Sequence, residues 1–380
     1  MKKALCLQGG GAKGAFQAGA LKALKERGYK YGCAVGASVG ALNAAMYCLG
    51  KVNELFDLWS ELDFTDVLPV EKNAESGKYS LRSMASSALQ ALRSGVDTAK
   101  IRSILKKYVD EDKLRASRID FGLVTVEDGK ERTLRRLYLK DIPQGKLHDY
   151  MMASAALPFF KKVEIDGVRY LDGGLMDNLP LAMLVEKGYR DITAIRLGGD
   201  LRYEPQEGEK VSVFYIDPTE SPGHTVNFSN ASITKALHLG YYDTLRALDG
   251  LIGKKYYLKP FSEKEIYAYL AFHRSFTERA LEYLNVRIDG TIWQKVAMLT
   301  LALSDLIGVQ GESALNVWLK FIECFAAFYE VERWHVYTWR SIVREMAKKA
   351  DLAKPTKGED NQVKAAMIAR ILIEEIRKNG

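Results

Sequence analysis

Up to about residue 255, short unbroken apolar runs alternate with stretches of helical periodicity. Beyond residue 260 only the helical period remains. Residues 3–8 read as a strand covered on both faces, and residues 31–35 as a short, mostly apolar run suited to a buried strand. Gly9-Gly10-Gly11-Ala12-Lys13-Gly14 follows the first run. Residues 15–27 come next, with Phe16, Ala20, Leu21 and Leu24 on one helical stripe that stops at Gly28. After the second run, residues 41–49 are strong helix formers without proline. This strand–helix–strand–helix opening predicts a parallel α/β sheet with right-handed crossovers.

The same reading continues along the chain. Residues 53–68 read as a helix ending near Pro69, residues 71–80 as a polar loop, and 81–93 and 98–109 as amphipathic helices. Residues 121–126 and 132–139 form a predicted hairpin. A small-residue helix from Met151 is stopped by Pro158. Residues 162–165 and 168–171 flank Asp166-Gly167, a strong hairpin signal. Buried strands are expected at 191–197 and 211–216, and a helix at 232–248. The tail reads as helices 263–284, 291–306, 312–329, 335–350 and 362–378, with a polar linker at 354–361. A catalytic domain over residues 1–259 and an all-helical domain over 260–380 are therefore expected.

Composition adds bounds. Hydrophobic residues make up 47% and charged residues 27%, as in ordinary soluble domains. Cys6, Cys33, Cys48 and Cys324 have neither C-x-x-C nor His-paired spacing. They read as reduced thiols in a cytoplasmic protein, and no metal site is expected. The apolar run near Met1 is too short for a secretory leader. The most apolar stretch, residues 292–309, contains Lys295 and Asp305, so no membrane span is expected. A net charge of +7, with Lys130, Arg132, Arg135, Arg136 and Lys140 close together, favours peripheral contact with anionic membranes. Nucleic-acid binding is not expected, and self-association is left open.

Gly36-Ala37-Ser38-Val39-Gly40 fits G-x-S-x-G between a predicted strand and helix, the setting of an exposed nucleophilic serine. Gly9, Gly11 and Gly14 also satisfy a dinucleotide fingerprint. That fingerprint needs an acid where Gly36-Ala37-Ser38 stand, and a P-loop fails because Gly14 follows Lys13. An oxyanion hole built from Gly9, Gly10 and Gly11 uses both glycine motifs, since the loops after adjacent parallel strands meet. Lys13 could meet a phosphate or remain solvated. Asp172, in Asp172-Gly173-Gly174 at a strand end, is the candidate base. The residues alone leave open an α/β-hydrolase triad using His224 or His238, a nucleotide-binding module, and a non-catalytic lipid-binding adaptor.

Together, the glycine loop, the Ser38 motif and the Asp172 motif, in this order, resemble the patatin-like phospholipases over roughly residues 1–255. Residues 153–160 are similar to the stretch that precedes the aspartate motif there. The resemblance implies a three-layer α/β sandwich with a mostly parallel central sheet. It implies Ser38 as nucleophile and Asp172 as base without histidine. Lys13, Gly14, Gly36, Gly40, Gly173 and Gly174 would support the motifs. Phospholipids or other fatty-acyl esters are the implied substrates, and no cofactor takes part. The helical tail lies outside the resemblance.

Overall fold

The structure, a computed structural model, describes residues 3–61, 99–156, 163–350 and 361–379. The expected loop at 71–80 and helix at 81–93 lie outside the described residues. The chain divides into two compact units, Met1–Leu245 and Arg246–Gly380.

The first unit is built on an eight-stranded mixed sheet flanked by helices. In chain order it contains β1 (Lys3–Leu7), α1 (Gly14–Glu26), β2 (Cys33–Ala37), α2 (Val39–Cys48), α3 (Val52–Glu61), α4 (Ala99–Tyr108) and α5 (Glu111–Arg115). Then come β3 (Asp120–Asp128), β4 (Arg132–Tyr138), α6 (Leu147–Ser154), β5 (Val163–Ile165), β6 (Val168–Asp172) and α7 (Leu181–Glu186). It ends with β7 (Asp191–Ile195), β8 (Ser212–Ile216) and α8 (Asn230–Asp249), which runs into the second unit. Strands β3, β2, β1, β7 and β8 are parallel neighbours, as the double-sided apolar runs predict. On one face Cys6, Val35 and Ala194 pack with residues 179–189. The alternate side chains Leu5, Leu7 and Ala34 are equally buried, so both faces are covered.

The sheet forks at β3. β4 pairs antiparallel along one edge, from Gly122 to Asp128. The other edge is shared: β2 pairs with residues 120–124, ending with Ala37 opposite Val124. β6 then takes over antiparallel, with Asp172 opposite Thr125. The ends of β2 and β6 therefore meet at one point of β3. The β5–β6 hairpin turns at Asp166 and Gly167, both at positive φ (51° and 81°), as the Asp-Gly signal predicts.

Helices α1 and α8 cross at two glycines. A Cβ at Gly19 would lie 2.0 Å from the Leu237 carbonyl oxygen, and one at Gly240 would lie 1.8 Å from that of Phe16. The backbones therefore touch directly.

The second unit contains β9 (Tyr257–Leu258), α9 (Glu263–Phe272), α10 (Arg274–Tyr283), α11 (Ile292–Leu306), α12 (Ala314–Phe328), β10 (Val336–Tyr337), α13 (Trp339–Ala350) and α14 (Asn361–Asn379). Its core gathers Val296, Leu299, Trp318, Ile322, Ile342 and Ile368. The tail is helical as expected, with one two-residue strand, Val336–Tyr337, running parallel to Tyr257–Leu258. One expectation is corrected. The helix expected over 263–284 is two, broken at His273, whose ψ of 62° leaves the helical region. The segment before Lys259 is anchored in this unit: Glu323 Oε1 accepts the N–H groups of Lys254, Lys255 and Tyr256 at 2.8, 2.7 and 2.8 Å. No described helix is long and apolar enough to cross a membrane.

Candidate active site

Ser38 stands between β2 and α2 at φ 52° and ψ −125°, a region that non-glycine residues rarely adopt. Such a conformation costs on the order of 1–3 kcal/mol and persists only where its surroundings enforce it. Here they do. The Ser38 N–H donates to Ser154 Oγ (3.0 Å) at the end of α6, and the Ser38 carbonyl accepts the Ala41 N–H (2.9 Å). Gly36 and Gly40 allow the tight passage: a Cβ on Gly40 would lie 2.4 Å from the Leu7 carbonyl oxygen, and one on Gly36 would lie 2.4 Å from that of Gly40.

The fork places Asp172 beside this turn. Ser38 is 8% exposed and Asp172 is 4% exposed, both lining a cleft of about 270 Å³. Asp172 Oδ1 accepts the Gly174 N–H at 2.7 Å. Its Oδ2 is buried and makes no hydrogen bond among the described residues. Burial raises the Asp172 carboxyl to about 6, against opposing pulls from the Gly174 N–H and the neighbouring Ser38 hydroxyl. No histidine lines the cleft among the described residues, so neither His224 nor His238 meets this pair.

The glycine loop forms the facing wall. Gly9, Gly10, Gly11 and Lys13 all line the cleft. The Gly9 N–H is not available to a ligand, because it donates to the Asn178 carbonyl at 3.0 Å. Among the described residues, the N–H groups of Gly10 and Gly11 make no hydrogen bond. Gly11 sits at φ 56°, with its Cα against the Thr225 carbonyl. Gly14 opens α1 against Val39 and Trp59, and Gly173 packs on the Val124 carbonyl. Lys13 is the only cation among the lining residues described.

Several residues without a signature of their own hold this arrangement. Asn178 grips Gly9 twice, through its carbonyl and through Nδ2, which donates to the Gly9 carbonyl (3.3 Å). It thereby ties the segment after Asp172 to the glycine loop. Gln17 donates to the Gln8 carbonyl (2.7 Å). Asn43 donates to Gln17 Oε1 (2.8 Å) and to the Gly14 carbonyl (3.0 Å), and Trp59 Nε1 donates to Asn43 Oδ1 (3.1 Å). Gln17 and Asn43 are fully buried, so their polar groups need these partners. Buried polar residues on otherwise apolar helix stripes were the available sequence signal.

Residues 5–185 match the family model described as patatin-like phospholipase. Uncharacterized NTE family proteins of Mycobacterium tuberculosis and Mycobacterium bovis are each 28% identical over 199 residues, which is 52% of this chain and 49% of theirs. The chain thus spans about half the length of the curated relatives it matches. Among solved structures, VipD from Legionella pneumophila aligns with a TM-score of 0.44 and 16% identity, covering 99% of this chain and 91% of its own. The type III effector protein ExoU aligns with a TM-score of 0.32 and 13% identity, covering 96% and 76%. The domain that carries the glycine loop, Ser38 and Asp172 belongs to the patatin-like phospholipase family.

Proposed function

We propose that this protein is a lipid acyl hydrolase working through a Ser38–Asp172 pair. Ser38 Oγ attacks the ester carbonyl while Asp172 takes its proton. The oxygen that becomes negative is received by the N–H groups of Gly10 and Gly11. The C–O bond to the alcohol then breaks, the alcohol leaves with the proton from Asp172, and Ser38 holds the acyl group. Asp172 next deprotonates a water that attacks this acyl ester, releasing the fatty acid and restoring both residues. Preorganised backbone donors of this kind contribute about 3 kcal/mol each.

One observation carries the reading. A buried carboxylate oxygen that makes no hydrogen bond among the described residues stands beside a serine on a strained turn, facing a loop whose Gly10 and Gly11 N–H groups make none among them either. The family of the domain supports lipid esters as the substrate class. Ser38→Ala and Asp172→Asn are each expected to lower hydrolysis of a short-chain ester at least ~1,000-fold. The double variant should be little worse than either single one, because the pair acts as a unit. A fluorophosphonate should label Ser38 alone. Labelling elsewhere, or full activity in Ser38→Ala, would overturn the assignment.

A further inference from the structure

The rim of the cleft carries information that the catalytic groups do not use. Among the described residues of the first unit, the large apolar side chains left exposed are Leu175, Met176, Leu201, Phe214 and Val226. One of the five lines the cleft, and two others directly follow lining residues in the chain. Leu175 lines it and is 50% exposed; Met176, 52% exposed, follows in the turn that leaves Asp172. Val226, 39% exposed, adjoins Thr225, another lining residue, whose carbonyl accepts the Ala12 N–H at 2.8 Å.

Two backbone donors of the turn that presents Leu175 and Met176 are satisfied within it. The N–H groups of Met176 and Asp177 both donate to the Gly173 carbonyl, at 3.1 and 3.0 Å. Asp177 in turn pairs with Arg136 at 3.3 Å. Such a tip can enter an apolar medium without carrying these backbone donors in unpaired. The basic strand β4 is a poorer candidate for lipid contact. Arg132 pairs with Asp128, Arg135 with Glu127, and Arg136 with Asp177 and Glu186, so its charge is balanced locally.

We propose that Leu175, Met176 and Val226 form a lipid-surface docking rim, which inserts into the acyl layer of a bilayer or micelle and sets the cleft over the ester. The occupant follows from the hydrolase reading above, on which this proposal rests. A buried nucleophile reaches a bilayer lipid only if the cleft mouth meets the lipid surface, and apolar side chains fixed at that mouth suit the contact.

The test uses the full chain carrying Ser38→Ala, so that lipid is not consumed, and phosphatidylcholine vesicles in a flotation assay. Adding Met176→Ser and Val226→Ser, neither of which lines the cleft, should weaken vesicle partition about tenfold. Raising salt from ~0.05 to ~0.5 M should leave partition of the parent within about twofold, because apolar insertion is not screened. In the Ser38-containing protein, the same two rim changes should leave soluble-ester hydrolysis within about twofold of the parent. A single Met176→Lys variant, at an exposed position, provides a second reading and should also float less. Unchanged partition in both rim variants, or partition that collapses with salt, would overturn the proposal. So would a parent that does not float, or rim changes whose effect is to split a dimer. Absence of soluble-ester hydrolysis in the Ser38-containing parent would instead strike the hydrolase reading, while flotation still judges the rim.

Discussion

Asp172 carries the electrostatic tension of the cleft. As the proposed base, Asp172 must be ionised, so with its carboxyl held near 6, kcat/KM for a soluble ester should rise with pH through about 6 and level off above. A pH–rate profile whose acidic limb falls near 4 would detach Asp172 from proton transfer. The same shift has a stability sign. The folded value lies above the ordinary 3.8, so the group's contribution is fully present below about 4 and is lost as pH rises through about 6. That loss is on the order of 3 kcal/mol, from about 1.4 kcal/mol per unit. Asp172→Asn should therefore melt at a higher temperature than the parent at pH 8, and the gap should close towards pH 4. Calorimetry across that range checks both the sign and the window. Asn178 supports the loop opposite. Asn178→Ala should lower kcat for a soluble ester about 10- to 100-fold and slow fluorophosphonate labelling, with KM changed little, since the donors rather than the binding surface are disturbed. Asn178→Asp should not rescue it, because a carboxylate oxygen would then face the Gly9 carbonyl. A kcat within about twofold of the parent in Asn178→Ala would assign Asn178 a purely structural place.

Elements show where local pattern suffices. Strands β1 and β2 and the turns after them were legible because a buried parallel strand needs an apolar run, and a strained serine turn needs glycines at fixed offsets. Asp166-Gly167 gave its hairpin for a similar local reason. Ser154 and Asn178 were not legible in their roles. Ser154 acts 116 residues from Ser38, and nothing near either position announces the meeting. The break at His273 also escaped: no proline or glycine interrupts residues 263–284, so the helical pattern reads straight through it. Gly240 looks like a mere cost in the middle of α8 until the Phe16 carbonyl is found against it. Gly240→Ala should lower stability by about 1–3 kcal/mol, as overpacking does, whereas Gly250→Ala, with open space around it but φ at 64°, should act only through backbone strain. Thermal denaturation of the two variants separates crowding from strain; equal stability of Gly240→Ala and the parent would mean that the helices can move apart freely.

At the scale of the whole molecule, each unit has a core of its own, and the proposed catalytic groups all come from the first. The fork at β3 has a consequence in time. Ser38 and Asp172 come together only after β2 and β6 have both docked on the same edge, and Thr125 reaches the Leu171 carbonyl across 46 residues while Ser38 reaches Ser154 across 116. Such contacts require closing long loops before any contact energy is gained, so they form late and slowly. Helices α1 and α2 are local and need no such closure. During refolding from denaturant, far-ultraviolet ellipticity should therefore recover before the serine becomes reactive, with a measurable interval in which the chain is helical but chemically inert. Stopped-flow ellipticity beside pulsed fluorophosphonate labelling would time the two, and simultaneous recovery would mean that the fork closes in the first step of folding. A delay of this kind would keep a newly made chain from the proposed ester cleavage until the sheet around Ser38 is finished.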